Sequence, residues 1–492
     1  MFESAELGHT VTKASYARQV PKLREALLDA QYDLLEKKSF STLILISGVD
    51  GAGKGETVNL LNEWMDPRHV HTHAMSVASD EEQQHPRNWR FWRALPPRGK
   101  IGVFFGSWYT YPIVRRAYGE IKDASLDQAM EEIVRLERML ADERVLVLKL
   151  WFHLSKKQQK RRLLALSADK RTRWRVTESD WKHFEIYDTF RRVSERALRQ
   201  TSTADAPWRI IEGADARYRS LTAGRIVLES MRTRLSQTRQ PRPFAPPPAK
   251  PDEPNLLRAL DLSQKVSDKR YDKELEALQG RLNLLTRHPK WKKTGVVAVF
   301  EGADAAGKGG AIRRITGALD ARQYRIVPVA APTEEERAQP YLWRFWRNVP
   351  AYGQFVIFDR SWYGRVLVER VEGFCEQHDW NRAYSEINDF EEQLSGHGLV
   401  VVKFWLHIDA DEQLRRFKER EATGFKRFKI TAEDWRNRKK WKDYEVAACN
   451  MFERTSTEIA PWTLVPAVDK RFARIRILET ICDRLEEQIK KG

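Results

Sequence analysis

Short apolar segments alternate with longer amphipathic segments in both halves of the chain. Nearly uninterrupted apolar runs predict buried strands at residues 42–46, 296–300, 355–358 and 399–405. Basic segments with helical spacing of their apolar residues precede them at residues 16–38 and 271–287. Apolar strands that alternate with helices are typical of a parallel sheet covered on both faces, so the pattern predicts an α/β fold.

The two halves are copies of one domain. The motif Gly48-Val-Asp-Gly-Ala-Gly-Lys-Gly55 recurs 254 residues later as Gly302-Ala-Asp-Ala-Ala-Gly-Lys-Gly309. Three further motif pairs have the same offset: Arg90-Phe-Trp-Arg93 and Arg344-Phe-Trp-Arg347, Ser107-Trp-Tyr109 and Ser361-Trp-Tyr363, Ala206-Pro-Trp208 and Ala460-Pro-Trp462. A constant offset over several tryptophan-bearing motifs indicates a tandem duplication, and a period this long excludes a solenoid.

A proline-rich stretch separates the copies. Proline fixes the backbone angle φ and removes a hydrogen-bond donor, so residues 241–255 are predicted to form an extended connector. The alternative is a surface loop inside one domain. The predicted organisation is therefore a first domain at residues 1–240, this linker, and a second domain at residues 256–492.

The glycine-rich motif of the second copy has the context of a phosphate-binding P-loop, because it follows a strand and opens a helix. Lys308 is predicted to reach the transferred phosphate. Gly309 stands where a typical P-loop has a Mg²⁺-binding Ser or Thr, so Asp304 is predicted to take that role. The alternative is a glycine-rich turn with an incidental lysine. The other phosphate-binding candidates are Gly302, Ala305, Ala306, Gly307, Gly309 and Gly310.

Asp359 follows a predicted buried strand, at the sheet edge where α/β proteins bind ligands. A carboxylate there can hold Mg²⁺, and Asp304 and Asp359 are the predicted metal ligands. Arg360 and Arg365 can neutralise charge on a phosphoryl group in transfer. A helix N-cap is the alternative role for Asp359.

Two further groups of basic residues are candidate phosphate contacts. Arg344 and Arg347 are three residues apart and are predicted to share a helix face, among aromatic residues that either stack or fill the core. The segment 415–429 is densely basic around a glycine and is interpreted as a lid, with a solvated helix face as the alternative. Its phosphate-binding candidates are Lys426, Arg427 and Lys429.

Composition narrows the function classes. The 492 residues hold 86 Lys and Arg against 69 Asp and Glu, a net charge of +17 that favours a polyanionic partner. Three cysteines exclude a disulfide framework. The chain has no apolar run of about 20 residues and no apolar signal-peptide segment near its start, so a cytoplasmic protein without membrane contact is predicted.

The motif set resembles the polyphosphate kinase 2 family. The residues that carry the resemblance are the 302–309 motif, Arg344-Phe-Trp-Arg347, Phe358-Asp-Arg-Ser-Trp-Tyr363, Lys403-Phe-Trp-Leu-His407 and Ala460-Pro-Trp462. The resemblance implies a thymidylate kinase-like fold with a helical lid, a Mg²⁺ requirement, and the activity of the fused two-domain members. That activity is phosphoryl transfer from inorganic polyphosphate to AMP, giving ADP. In the lid, the usual Asp-Pro-x-Lys-x-Trp-Lys pattern of the family is altered at residues 423–429.

The two copies are unequal at the predicted site. Asp359, Arg360 and Arg365 correspond to Phe105, Gly106 and Tyr111 in the first copy, which keeps only Asp50 and Lys54. We therefore predict that the second domain catalyses and that the first is a degenerate partner. An ATP-dependent nucleoside or nucleotide kinase and a nucleic-acid-binding P-loop protein remain alternatives, although no specific nucleic-acid-reading motif is present. A homo-oligomer and the reverse reaction also stay open.

Overall fold

The computed structural model describes residues 1–237, 256–424, 428 and 430–491. We call residues 1–237 the N-terminal repeat and residues 256–491 the C-terminal repeat. The predicted linker, residues 241–255, lies outside the described residues, as do the lid candidates Lys426, Arg427 and Lys429.

Each repeat contains one five-stranded parallel sheet, which confirms the predicted α/β fold. The strands are β1 (Ser41–Gly48), β2 (Val70–Ala74), β3 (Ile101–Phe105), β4 (Val145–His153), β5 (Trp208–Glu212), β6 (Gly295–Gly302), β7 (Tyr324–Pro328), β8 (Phe355–Asp359), β9 (Leu399–His407) and β10 (Trp462–Pro466). The spatial order is β2-β3-β1-β4-β5 in the first sheet and, equivalently, β7-β8-β6-β9-β10 in the second. The strand that precedes each P-loop is therefore central in its sheet.

Helices cover the sheets. In the N-terminal repeat they are α1 (Lys13–Lys37), α2 (Lys54–Trp64), α3 (Asp80–Gln83), α4 (Trp89–Arg93), α5 (Thr110–Ala117), α6 (Asp123–Asp142), α7 (Lys156–Ala168), α8 (Glu178–Glu185), α9 (Tyr187–Thr201) and α10 (Ala216–Ser236). In the C-terminal repeat they are α11 (Asp268–Leu285), α12 (Lys308–Thr316), α13 (Glu334–Arg337), α14 (Trp343–Trp346), α15 (Val368–Glu372), α16 (Gln377–Gly396), α17 (Ala410–Ala422), α18 (Ala432–Lys439), α19 (Trp441–Thr455) and α20 (Lys470–Lys491). Short 3-10 helices lie at Phe2–Ala5, Pro67–His69, Arg173–Arg175, Pro289–Lys293 and Trp362–Arg365. None of the helices in these described ranges is both long and apolar enough to cross a membrane.

The chain forms two compact units that do not coincide with the repeats. Within the described residues, unit 1 holds residues 1–78, 90–237 and 332–344. Unit 2 holds residues 79–89, 256–331 and 345–491. Each unit therefore includes a short segment of the other repeat, taken from equivalent positions.

Backbone hydrogen bonds attach these short segments to their units. In unit 1, the Arg98 N–H donates to the Ala338 carbonyl oxygen at 2.8 Å. In unit 2, the Tyr352 N–H donates to the Gln84 carbonyl oxygen at 3.2 Å. Neither contact could be predicted from strand and helix patterns, because it joins loops far apart in the sequence.

A buried lysine fixes the second sheet to its helices. Lys403, in the middle of β9, is fully buried. Its Nζ donates to Glu391 Oε2 at 2.7 Å, to the Tyr363 hydroxyl at 2.9 Å and to the Thr455 carbonyl oxygen at 2.7 Å. Because all three ammonium donors have partners, the charge is tolerated inside the core.

The N-terminal repeat contains the same arrangement around Lys149. Its Nζ donates to Glu137 at 2.7 Å, to Tyr109 at 3.0 Å and to the Thr201 carbonyl oxygen at 2.7 Å. The two repeats therefore share this internal charge pair.

Candidate active site

The C-terminal P-loop connects β6 to α12 and follows the predicted geometry. Gly302 ends the strand with φ +134°, and a Cβ there would lie 2.3 Å from the Leu406 carbonyl oxygen, so only glycine fits. Lys308 opens the helix, and its Nζ donates to the Gly302 carbonyl oxygen at 2.8 Å. A Cβ built on Gly307 would meet no atom within 4 Å. The space above the loop is therefore open.

Asp304 lies at the centre of the polar contacts of this loop. Its Oδ1 accepts from Arg360 Nη2 at 3.1 Å, and its Oδ2 accepts from Asn437 Nδ2 at 3.0 Å. Asn437 lies on α18 and was not among the sequence candidates. The structure thus brings Asp304 and Arg360 together, and it adds a helix that follows the basic segment.

Asp359 ends β8, beside β6, where it pairs in register with Phe300. Both carboxylates, Asp304 and Asp359, therefore follow neighbouring strands at the carboxyl edge of the sheet. Among the described residues, none donates a hydrogen bond to the Asp359 carboxylate. Its position leaves it available for a ligand.

Arg360 holds a strained backbone. Its φ is +63°, and Ala305 in the loop has φ +66°. Residues other than glycine occupy this left-handed region at a cost on the order of 1–3 kcal/mol, and such strain clusters at functional sites. The equivalent residues of the N-terminal repeat are Gly106 and Gly51, with φ +83° and +77°. The backbone shape is common to both repeats, but only the C-terminal repeat retains side chains there.

Glu301 is a site residue that sequence reasoning missed. It is buried, and its Oε1 accepts from the Ser361 hydroxyl at 2.8 Å. Burial raises the pKa of Glu301 above its ordinary value, and the negative charge of Asp359 raises it further. The positive charges of Lys308 and Arg360 lower this pKa without cancelling the effect of burial. A carboxyl at the end of an apolar strand, one residue before the glycine-rich motif, was the available signal.

One arginine of the basic segment, Arg416, supports the fold, so the lid interpretation is wrong for this residue. This residue is buried on α17, and its guanidinium donates to the carbonyl oxygens of Ala305 and Ala306, both at 3.0 Å. It also donates to the carbonyl oxygens of Ala467 and Val468 at 2.8 and 2.9 Å. Arg416 therefore stabilises the P-loop from behind instead of facing phosphate.

The remaining predicted arginines are not joined to the P-loop by these contacts. Arg365 lies 2.7 Å from Glu369, which engages part of its charge. Arg344 belongs to the segment in unit 1, where its Nη1 is 3.6 Å from Glu336. Helix α14 ends at Trp346, so the predicted shared helix face does not extend to the exposed Arg347. Their phosphate-binding roles stay predictions.

The N-terminal repeat has different charges at the same place. Asp50 Oδ1 accepts from Lys54 Nζ at 3.2 Å, and its Oδ2 lies 2.8 Å from His183 Nδ1. His183 occupies the position of Asn437. Burial alone would raise the pKa of Asp50, but Lys54 and His183 outweigh it and hold that pKa well below its ordinary value.

The space above the N-terminal P-loop is occupied. A Cβ on Gly53, the equivalent of Gly307, would lie 2.1 Å from Cζ of Arg219. Arg219 Nη2 donates to Glu56 Oε2 at 2.6 Å, and Glu56 stands where the C-terminal repeat has Gly310. An arginine and a glutamate of the protein itself therefore fill the region that is open in the other repeat.

The Asp50–His183 pair yields a pH prediction. The hydrogen bond to Asp50 raises the pKa of His183 above its ordinary value of 6.5, against the lowering effect of burial. The stabilisation from the charged pair is therefore complete below pH 6.5 and is lost as the pH rises through the raised pKa. Asp50→Asn should bring the His183 pKa to 6.5 or lower. NMR titration of ring-labelled histidines, with His183→Asn for assignment, measures both values. A wild-type His183 that titrates below 6.5 would contradict the pairing.

The carboxylates fit a magnesium ion bound together with phosphates. No cluster of three or more His, Cys, Asp or Glu side chains suited to a metal occurs in the described part of the chain. Magnesium in phosphate-transfer sites commonly takes one or two carboxylates, and substrate oxygens and water complete its octahedron. Asp304 and Asp359 supply hard oxygen donors of that kind.

Comparisons with known proteins all identify the same family, and highly similar full-length proteins match the whole chain. The family model of polyphosphate kinase 2 matches residues 10–239 and again 265–492. A polyphosphate:AMP phosphotransferase of Pseudomonas aeruginosa is 58% identical over 495 residues, with 100% of each chain covered. One from Acinetobacter johnsonii is 40% identical over 97% of this chain and 98% of its own length. A crystal structure described as polyphosphate kinase 2 from Pseudomonas aeruginosa superposes with a TM-score of 0.92 at 56% identity over the full length of both chains.

Proposed function

Because the chain belongs to the polyphosphate kinase 2 family, we propose that it transfers the terminal phosphoryl group of inorganic polyphosphate to AMP, and that the C-terminal repeat catalyses this step. An oxygen of the AMP phosphate forms a bond to the terminal phosphorus, and the bond from that phosphorus to the bridging oxygen breaks. The products are ADP and a polyphosphate shorter by one phosphate. The names of the full-length relatives support this choice of substrates.

The observation that carries the proposal is the charge set at the carboxyl edge of the second sheet. Asp304, Lys308, Asp359 and Arg360 all lie on the P-loop or at the end of the adjacent strand. At the four equivalent positions the N-terminal repeat has only two charged residues, Asp50 and Lys54. Phosphoryl transfer depends on alignment and on stabilising negative charge, so the larger set of charged groups supports the C-terminal repeat as the catalytic one.

Each group has a defined task in this proposal. The backbone N–H groups of the loop and the start of α12 bind phosphate oxygens. Lys308 and Arg360 offset the negative charge of the transferred group. Arg416 keeps the loop in its open shape. Asp304 and Asp359 would hold Mg²⁺, which would supply further charge neutralisation between the phosphates.

The donor assay tests the proposed activity. The full-length protein is given AMP and MgCl₂ with either polyphosphate or ATP, and ADP is followed by chromatography. We expect ADP formation with polyphosphate to be at least about tenfold faster than with ATP, because a densely basic site favours a long linear polyanion. An ATP preference would instead support the nucleotide kinase alternative. Omitting Mg²⁺ in the presence of a chelator tests the metal separately.

A further inference from the structure

The N-terminal repeat contains a cavity of about 380 Å³ at the position equivalent to the catalytic site. It reaches from the P-loop residues Gly48, Val49 and Asp50 to helices α5, α8 and α9. Cavities of about 300–1,000 Å³ are the usual size of small-molecule sites. The degenerate repeat has therefore kept an opening large enough for a ligand.

The lining of this cavity is where the charged residues of the other repeat have been replaced. In each pair the C-terminal residue is followed by its N-terminal equivalent, and each equivalent lines the cavity: Glu301 and Ser47, Asp359 and Phe105, Arg360 and Gly106, Glu372 and Tyr118, Lys440 and Ile186, Tyr444 and Phe190. Every formal charge in the set has been lost. The cavity is thus less charged than the equivalent site of the C-terminal repeat, although Asp50, Lys54 and His183 remain in its lining.

Phosphate is a poor fit to the converted site. Arg219 covers the loop at Gly53 and is itself held by Glu56. Lys54 donates to the Gly48 carbonyl oxygen at 2.7 Å and is paired with Asp50. A polyanion would have to displace these contacts without gaining the arginine that the C-terminal repeat offers.

The walls instead suit a flat aromatic body. The residues that line the cavity include Phe105, Tyr109, Trp151 and Phe190, and aromatic rings gain free energy from stacked or edge-to-face contact beyond their burial. A polar end is formed by Asp50, Lys54 and His183, which also line the cavity. One short hydrogen-bonding group on the ligand would satisfy that end.

A buried acceptor beside the cavity supports the same conclusion. Gln159 lines the cavity and is almost fully buried, and its Oε1 has no hydrogen-bond partner among the described residues. In the C-terminal repeat the equivalent Gln413 Oε1 accepts from Arg438 Nη1 at 3.2 Å. Phe184 stands at the position equivalent to that arginine, so the corresponding donor is absent for Gln159.

We propose that the N-terminal repeat binds an uncharged aromatic small molecule with one short polar group in this cavity. The ligand class follows from the lost charges, the aromatic residues in the lining and the single polar end. The site is separate from the catalytic residues of the C-terminal repeat and requires neither polyphosphate nor AMP.

The test uses the full-length protein and the neutral fluorescent probe N-phenyl-1-naphthylamine. We expect saturable binding of one probe molecule per chain, unaffected by saturating polyphosphate or AMP. Val114→Trp places an indole in the cavity and should weaken binding at least about tenfold, since the added volume replaces the ligand. Val368→Trp is the matched change at the equivalent position of the C-terminal repeat and should leave binding unchanged.

A second variant guards against a folding defect. Met75→Trp fills the cavity from a different segment and should weaken probe binding as Val114→Trp does. Thermal unfolding and far-ultraviolet circular dichroism close to those of the wild type show that each variant is folded. The proposal is overturned if no saturable binding occurs, if polyphosphate displaces the probe, or if both folded variants bind it as tightly as the wild type.

Discussion

Lys308→Ala should lower kcat for ADP formation by about 1,000-fold or more. Lys308 is the first residue of α12 and lies beside the open space above the P-loop. The loop sequence, residues 302–309, contains no other lysine that could replace it. Groups that neutralise charge in phosphoryl transfer are worth about 10³–10⁵ in kcat. Initial rates at saturating AMP and polyphosphate measure the loss. Asp359→Asn should cause a comparable loss, since it removes a charge and hardly changes shape.

Lys54→Ala is the matched control in the other repeat. Lys54 has the same place in its motif and donates to the Gly48 carbonyl oxygen as Lys308 does to that of Gly302, but it is also paired with Asp50. We expect this variant to retain most of the wild-type rate. If Lys54→Ala silences the enzyme while its thermal unfolding is unchanged, the assignment of catalysis to the C-terminal repeat is wrong.

Lys403→Met should lower the free energy of unfolding by about 3–5 kcal/mol, the usual loss when one partner of a buried ion pair is removed. Methionine fills a similar volume, so the loss comes from electrostatics. Glu391 would keep hydrogen bonds from Trp362 at 3.0 Å and Tyr363 at 2.7 Å, but its charge would have no cation beside it. Urea unfolding followed by residual activity measures the effect on the C-terminal repeat.

The double variant Lys403→Met with Glu391→Gln is the control. It removes both charges and should recover a large part of the lost stability, because an uncharged pair avoids burying an isolated ion. Lys149→Met, the equivalent change in the N-terminal repeat, should destabilise that repeat similarly. A single variant as stable as the wild type would show that the buried lysine contributes nothing.

The sequence predicted three inner strands of the second sheet and the central strand of the first, but none of the outer strands. All four predicted strands lie inside β1, β6, β8 and β9. The predicted runs are shorter because most of the additional strand residues are polar or glycine, which an apolar pattern does not detect. Strands β2 and β7 were missed since they lie at sheet edges and are largely exposed, so their sequences carry no apolar run. Helix α1 begins three residues earlier than predicted because Thr12 caps it, accepting from the Ser15 N–H.

The sequence predicted those site residues that belong to recognisable motifs, and it missed those that do not. Asp304 and Arg360 were found because each stands in a recognisable motif, and the structure joins them. Asn437 could not be found, because its link to Asp304 spans 133 positions and depends on how α18 packs. Arg416 was misinterpreted, since a basic run does not reveal which of its members turns inward to bind carbonyl oxygens.

The composition of the two units has a consequence for proteolysis. A cut within the proline-rich stretch would give two polypeptides, and neither would contain every residue of one unit, because residues 79–89 and 332–344 would be on the wrong piece. Separately produced halves should therefore fold less well than a mixture of both, in which each half can complement the other. Recovery of folded protein when the two halves are mixed would show that each half supplies the short segment that the other unit needs.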